Sequence, residues 1–258
     1  MSLVSDTHGN FERFENFDMD REIGIIVLGD FCVNYYLDKR DTRKKNDLLN
    51  KWPKATFYIV RGNHEARPET LIDIKEVYDS EIQGNVWQET DFPNIKYLQD
   101  GGIYTFNGKK ALVIGGAYSV DKEHRIINGW SWFPTEQLSA AEQDEITHKV
   151  SGQGFDFVFS HTCPFPWMPT DLFLPIVDQA RVDNSMELWL DKLKDKINYK
   201  VYCFGHFHSD RIEKPGVEQF FESIELLDKV YDRWVNYEKT GQLEDGLVLG
   251  PKFFDKNT

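Results

Sequence analysis

Cysteine is scarce in this chain. Cys32, Cys163 and Cys203 are an odd number with no CxxC spacing, which excludes a disulfide framework and a thiolate zinc site and leaves reduced, mostly buried thiols as the expectation. Long apolar runs are absent as well. None approaches the ~20 residues that span a bilayer, and no charged-then-apolar leader precedes the first strand-like segment, so a cytoplasmic protein without membrane insertion or Sec-type secretion is expected. No stretch is rich enough in Gly, Ser or Pro to act as a linker, and no period of about 20–50 residues repeats, so residues 1–258 are expected to form a single domain. Positive charge is in deficit: 30 Lys and Arg stand against 43 Asp and Glu, a net −13. Binding along long DNA or RNA draws on phosphate neutralisation by a basic face, so long nucleic acid is a poor partner for this surface.

What the chain does have is a recurring pattern of a short apolar run followed at once by a polar turn. Residues 1–5 lead into Asp6-Thr7-His8-Gly9, 23–28 into Gly29-Asp30, and 56–60 into Arg61-Gly62-Asn63-His64. Residues 111–114 lead into Gly115-Gly116, 155–160 into His161, and 199–204 into Gly205-His206-Phe207-His208. Runs of this length, rich in Val, Ile, Phe and Tyr and bounded by turn formers, read as buried strands of an α/β fold. In such folds the loops after the carboxyl ends of the strands converge, and ligands bind there. Helices are expected over residues 38–51, in the 68–78 region, over 135–150 and over 183–196. Val217, Phe220, Phe221, Ile224, Leu227, Tyr231, Trp234 and Val235 follow helical spacing in a C-terminal extension, 209–258, that covers the core or a partner. A short apolar run at 246–249 and 252–254 closes the chain.

The polar clusters Asp6-x-His8, Gly29-Asp30, Gly62-Asn63-His64-Glu65, His161 and Gly205-His206-x-His208 stand in register with these strand ends. Five of the seven histidines fall in them. Carboxylate, imidazole and amide oxygen without thiolate suit divalent Mn, Fe, Zn or Ni, and the grouping has the logic of a two-metal site. His124 and His148 lie outside the pattern.

The ordered motifs DTHG, GD, GNHE, an isolated His and GHFH resemble those of the calcineurin-like metallophosphoesterase superfamily over residues 3–208. The resemblance implies a four-layer α/β/β/α sandwich with a dinuclear metal site at the strand ends. It implies that Asp6, His8 and His208 hold one divalent ion, that Asn63, His161 and His206 hold the other, and that Asp30 bridges both, with manganese the favoured metal. It also implies hydrolysis of a phosphoester by a metal-bridging hydroxide, without a phosphoenzyme. His64 is then placed to protonate the leaving oxygen or stabilise its charge, and Glu65 to orient an imidazole.

The sequence departs from the protein Ser/Thr phosphatase branch of that superfamily. In its GDYVDRG motif a second Asp and an Arg follow the bridging Asp; here the segment reads Gly29-Asp30-Phe31-Cys32-Val33-Asn34-Tyr35. A small phosphomonoester or phosphodiester is therefore the expected substrate. A protein phosphatase, or a metal-bound interaction module on the same fold, remains the alternative; the complete ligand set and His64 count against the module. Three further features bear on substrate. Arg61 offers either a fork to a phosphate oxygen or a partner for a surface carboxylate. The basic run Lys39-Arg40-Asp41-Thr42-Arg43-Lys44-Lys45 is either a solvated helix face or a steering patch. The loop from Gly115 to Pro134 brings His124 and Arg125 within possible reach of substrate.

Overall fold

The computed structural model describes residues 1–19 and 21–243. Its strands are β1 (Ser2–Val4), β2 (Ile23–Val27), β3 (Ala55–Ile59), β4 (Ile74–Asp79), β5 (Gly84–Glu89), β6 (Ile95–Leu98), β7 (Gly102–Phe106), β8 (Lys109–Ile114), β9 (Gly154–Ser160), β10 (Asn198–Phe204), β11 (Arg211–Lys214), β12 (Val217–Gln219) and β13 (Glu225–Leu226). The helices are α1 (Lys39–Lys51), α2 (Lys122–Ile127), α3 (Ala140–Val150), α4 (Ser185–Lys194) and α5 (Leu227–Thr240). One sheet runs β13-β1-β2-β3-β6-β5-β4 and the other β11-β12-β10-β9-β8-β7. Strands β1, β2, β3 and β6 are parallel, as are β8, β9, β10 and β12.

The period-2 alternation of the central strands builds the layers. Leu3, Ile26, Tyr58, Val113, Phe157, Phe159 and Val201 point between the sheets and form one core. Ile25, Val27, Phe57 and Ile59 face outward beneath Leu48 of α1 and the Phe14 and Trp52 rings. On the other side, Leu112, Ile114, Val158 and Phe204 pack against Ile146 and Val150 of α3 and Met186, Leu190 and Leu193 of α4. The result is a four-layer α/β/β/α sandwich whose central strands are apolar on both faces. Among the described residues no helix is long and apolar enough to cross a membrane.

Three expectations about elements need correction. The 68–78 region is a single 3-10 turn, Pro68–Thr70, followed by β4. Ile74 and Val77 are spaced for a helix, but the β-branched and aromatic content fits a pleated ladder, and Val77 sits opposite Val86 in a hairpin with β5. The helix expected over 135–150 starts only at Ala140, where Ser139 and Glu142 form a reciprocal capping box. In the extension, Pro215-Gly216 turns β11 into β12, which joins the sheet beside β10, and among its described residues only Leu227–Thr240 is helical. Leu227, Val230 and Trp234 of that helix close the core between the sheets. The run expected at 246–249 and 252–254 lies outside the described residues.

Candidate metal centre

Because β1, β2 and β3 are parallel and β8, β9 and β10 are parallel, the turns after all six strands can meet at one edge of the sandwich. Backbone bonds lock them there. Asp6 N–H donates to the Gly29 carbonyl at 3.1 Å, His8 N–H to Asp30 O at 2.9 Å, and Gly205 N–H to His161 O at 2.9 Å. Contacts also join one sheet's turns to the other's: His161 Nδ1 lies 2.8 Å from Leu28 O, His206 N–H donates to Asp6 Oδ2 at 2.9 Å, and Gly116 N–H donates to Arg61 O at 2.7 Å. Asp6, His8, Asp30, His206 and His208 all hold left-handed backbone, with φ of 48°, 48°, 51°, 70° and 52°. Such conformations cost of order 1–3 kcal/mol each in non-glycine residues and gather where function fixes the chain. Two motif glycines follow from crowding: a Cβ on Gly62 would overlap Asp30 Oδ1, and one on Gly205 would overlap Ser5 Oγ and Asp6 Oδ2.

The side chains form two adjoining groups. Donor atoms of Asp6, His8 and His208 lie within 4.8 Å of one another; the two imidazole Nε2 atoms are 2.9 Å apart, and His208 Nε2 is 3.6 Å from Asp6 Oδ1. In the second group Asn63 Oδ1 is 2.8 Å from His161 Nε2 and 3.1 Å from His206 Nδ1. Asp30 stands between them, Oδ1 3.6 Å from His161 Nε2 and Oδ2 3.9 Å from His8 Nδ1.

These groups fit a divalent cation for a reason internal to the structure. The Leu28 carbonyl only accepts, so His161 Nδ1 carries the proton and Nε2 presents a lone pair. That lone pair faces the lone pairs of Asn63 Oδ1 with no hydrogen between them. Asp6 Oδ1 is buried without any hydrogen-bond partner, a cost that native structures rarely leave unmet. Burial, reinforced by Asp30, pushes the Asp6 carboxyl well above its ordinary range, and a cation here would reverse that push. Burial also pushes the Asp30 carboxyl up, but His64, His161 and His8 outweigh it and hold the group below the usual carboxylate range. Burial lowers His161, lowers His206 strongly and brings His208 to about 4. All three are then neutral near pH 7, the state in which imidazole binds a metal.

Cys32 Sγ lies 3.9 Å from His8 Nδ1 and groups with His8 and His64. Burial and then Asp30 push its thiol well up, and Cys32 lies outside the ligand set expected from the sequence.

His64 borders the same cleft, its backbone N–H donating to Asp30 Oδ1 at 2.8 Å. The Arg125 guanidinium, 1% exposed, lies against the His64 ring nitrogens. It is fixed there by Asp121 at 2.8 Å and by the Ser131 carbonyl at 3.2 Å. Arg125 therefore reaches the site through His64. Its neighbour His124 is exposed and packs edge-on against Trp130 with ring centroids 5.2 Å apart, away from the cluster.

One alternative left open by the sequence is decided for Arg61, and one expected role, that of Glu65, is corrected. The Arg61 guanidinium is 2% exposed and spends its N–H groups on Asp100 at 3.0 and 3.1 Å and on the carbonyls of Thr135, Glu136 and Gly115, so none is left for a phosphate oxygen. Glu65 accepts from Gly62 N–H at 3.0 Å and braces the turn rather than an imidazole. The basic run is divided in the same way. Lys45 is buried against Glu89 at 2.5 Å, Lys44 donates to the Cys32 carbonyl at 2.7 Å, and Arg40 pairs with Asp38 at 2.8 Å.

Sequence reasoning missed Ser119 and Glu136. Asn63 Nδ2 donates to Ser119 Oγ at 2.9 Å, and Ser119 Oγ donates to Glu136 Oε2 at 2.5 Å. Ser119 N–H and Trp132 Nε1 hold the Glu136 carboxylate, each at 3.0 Å. This relay fixes which end of the Asn63 amide faces His161 and His206. The only sequence signal was the Gly115-Gly116 turn, which returns the loop to the site.

A family profile described as calcineurin-like phosphoesterase matches residues 3–210. A search of curated proteins gave no match.

Proposed function

The chain belongs to the calcineurin-like phosphoesterase family, and on that premise we propose that it hydrolyses small phosphomonoesters or phosphodiesters with two divalent ions, manganese foremost. Asp6, His8 and His208 would hold one ion, Asn63, His161 and His206 the other, and Asp30 would face both. Bound there, the ions would supply Lewis-acid neutralisation of phosphoryl oxygens and a more acidic attacking water. The protein's own part is positional. The hydrogen bond of His161 Nδ1 to Leu28 O aims Nε2 at the cluster, and the Ser119 contact aims Asn63 Oδ1. His64, outside the ligand set, is poised to donate to the leaving oxygen, with Arg125 steadying its ring.

The observation that carries this reading is the facing of unshared lone pairs at Asn63 Oδ1 and His161 Nε2 beside the buried, unpartnered Asp6 Oδ1, an arrangement that a cation satisfies. The net charge of −13 then describes the outer surface, while the ions set the local field that draws an anion. We read the chain as a single cytoplasmic domain acting on a small phosphorylated substrate, without long nucleic acid or membrane as partners. The test is a panel of phosphomonoesters, phosphodiesters and phosphopeptides on metal-stripped protein reconstituted with Mn, Zn, Ni or Mg. Turnover of small esters restored by Mn supports the reading. Turnover confined to phosphopeptides, or equal turnover without metal, overturns it.

A further inference from the structure

A cavity of about 400 Å³ opens beside the metal cluster, with His206 and His208 in its wall. The rest of the wall comes chiefly from the segment between β9 and α4: Met168, Leu172, Phe173, Leu174, Val177 and Val182. Phe173 stacks on Phe207, centroids 6.3 Å apart and 21° from parallel. Leu172 and Leu174 are 42% and 57% exposed, so the cavity offers apolar wall for an organic group to cover. Glu187 also borders the cavity and is 4% exposed. Its Oε1 accepts from Thr162 Oγ1 at 2.6 Å, and its Oε2 is buried with no partner.

We propose that this cavity receives the organic group of the substrate, and that the group is aromatic and carries an N–H or O–H donor for Glu187. The inference rests on the phosphoesterase reading and deepens it. A phosphoryl group held at the cluster projects its ester substituent past His206 and His208, the two residues shared by cluster and cavity. A sugar would bury several hydroxyls against Leu, Val, Met and Phe with few partners for them. A ring lies flat against the Phe173–Phe207 pair, and one donor satisfies the orphaned Glu187 oxygen in its ionised form.

Non-hydrolysable phosphonates separate the alternatives. On Mn-loaded protein, calorimetry is expected to show benzylphosphonate binding at least about ten-fold tighter than methylphosphonate, the effect of burying one ring. Hexylphosphonate should gain less than benzylphosphonate. A para-amino group on the benzyl ring should add about five-fold, the worth of one hydrogen bond, and Glu187→Leu should cancel that addition while sparing the benzyl gain. Phe173→Ala should reduce the benzyl gain and leave methylphosphonate unchanged. The wild-type series stands alone if either variant folds poorly. Equal affinity for methyl- and benzylphosphonate would overturn the subsite while leaving the hydrolase standing; hexyl- matching benzylphosphonate would overturn its aromatic character. No affinity for any of the four, with no ester hydrolysed, would overturn both readings.

Discussion

Ser119→Ala cuts the relay that orients Asn63 and leaves every proposed ligand in place. In the native arrangement Asn63 Nδ2 is committed to Ser119 Oγ at 2.9 Å, which is itself anchored to the buried Glu136 carboxylate at 2.5 Å. Without Ser119 Oγ the amide is free to flip, and its NH₂ can then donate to the lone pair of His161 Nε2, now 2.8 Å from Oδ1, and to His206 Nδ1, now 3.1 Å away, in the tautomer that carries its proton on Nε2. The flipped amide satisfies the empty site and opposes the loaded one. The lost bond is worth about 1–1.5 kcal/mol, and partners that orient a ligand typically carry about 10–100-fold in metal affinity. The dissociation constant of the more weakly held Mn ion should therefore rise at least about ten-fold. Thermal stability of the metal-free protein should change little, because the flip recovers what the deletion removes. Calorimetric Mn titration of wild type and variant is the assay, with activity followed against Mn concentration. A wild-type titration curve for the variant would refute the claim that Ser119 sets the amide.

Gly62→Ala places a methyl group on Asp30 Oδ1, and should destabilise the fold by about 1–3 kcal/mol and abolish the second metal equivalent in a stoichiometric titration. Arg61→Ala removes a buried guanidinium from Asp100 and three carbonyls, so urea unfolding should show a loss of about 3–5 kcal/mol. Arg61→Lys, at a temperature where it stays folded, should leave KM for a phosphoester within about two-fold, since a tenfold change in binding needs about 1.4 kcal/mol of contact. Burial raises the Glu187 carboxyl to about 7 from an ordinary 4.5. A folded value above the unfolded one means that the folded state holds the proton more tightly, so this contribution is complete below pH 4.5 and lost as pH rises through 7. Glu187→Gln should accordingly gain on wild type by up to about 3 kcal/mol between those limits in urea titrations of metal-free protein; a constant difference across that window would contradict it.

The six strand runs that carry the motifs were legible because their central positions are buried on both faces, so they stand in the sequence as unbroken apolar segments. Helix α1 starts where residues 38–51 were expected to, with the Asp38 carboxylate capping it by accepting from Arg40 N–H at 2.8 Å. Strands β4 to β7 were not. In Ile74-Lys75-Glu76-Val77 the apolar pair three apart imitates a helix, and only the partner strand β5, which no local window contains, decides for a sheet. The ligand types were legible because their spacing follows strand ends. The surroundings were not, because Arg61 meets Asp100, Asn63 meets Ser119 and Arg125 meets His64 across 39, 56 and 61 residues. Arg61 is the instructive case: adjacency to the GNHE turn left phosphate and a carboxylate equally open, and the local direction of the chain turned its guanidinium under the loop to Asp100.

The central claim is that the converging lone pairs of Asp6, His8, Asp30, Asn63, His161, His206 and His208 constitute a binuclear cation site on which activity depends. Elemental analysis of Mn-reconstituted protein, paired with phosphoester turnover of the same sample before and after chelation, tests it most directly. The account predicts close to two Mn per chain, about one or fewer in Asp30→Asn, and turnover that vanishes on chelation and returns with Mn. Turnover that persists in chelated protein, or a chain that binds no Mn at millimolar concentration, would contradict it.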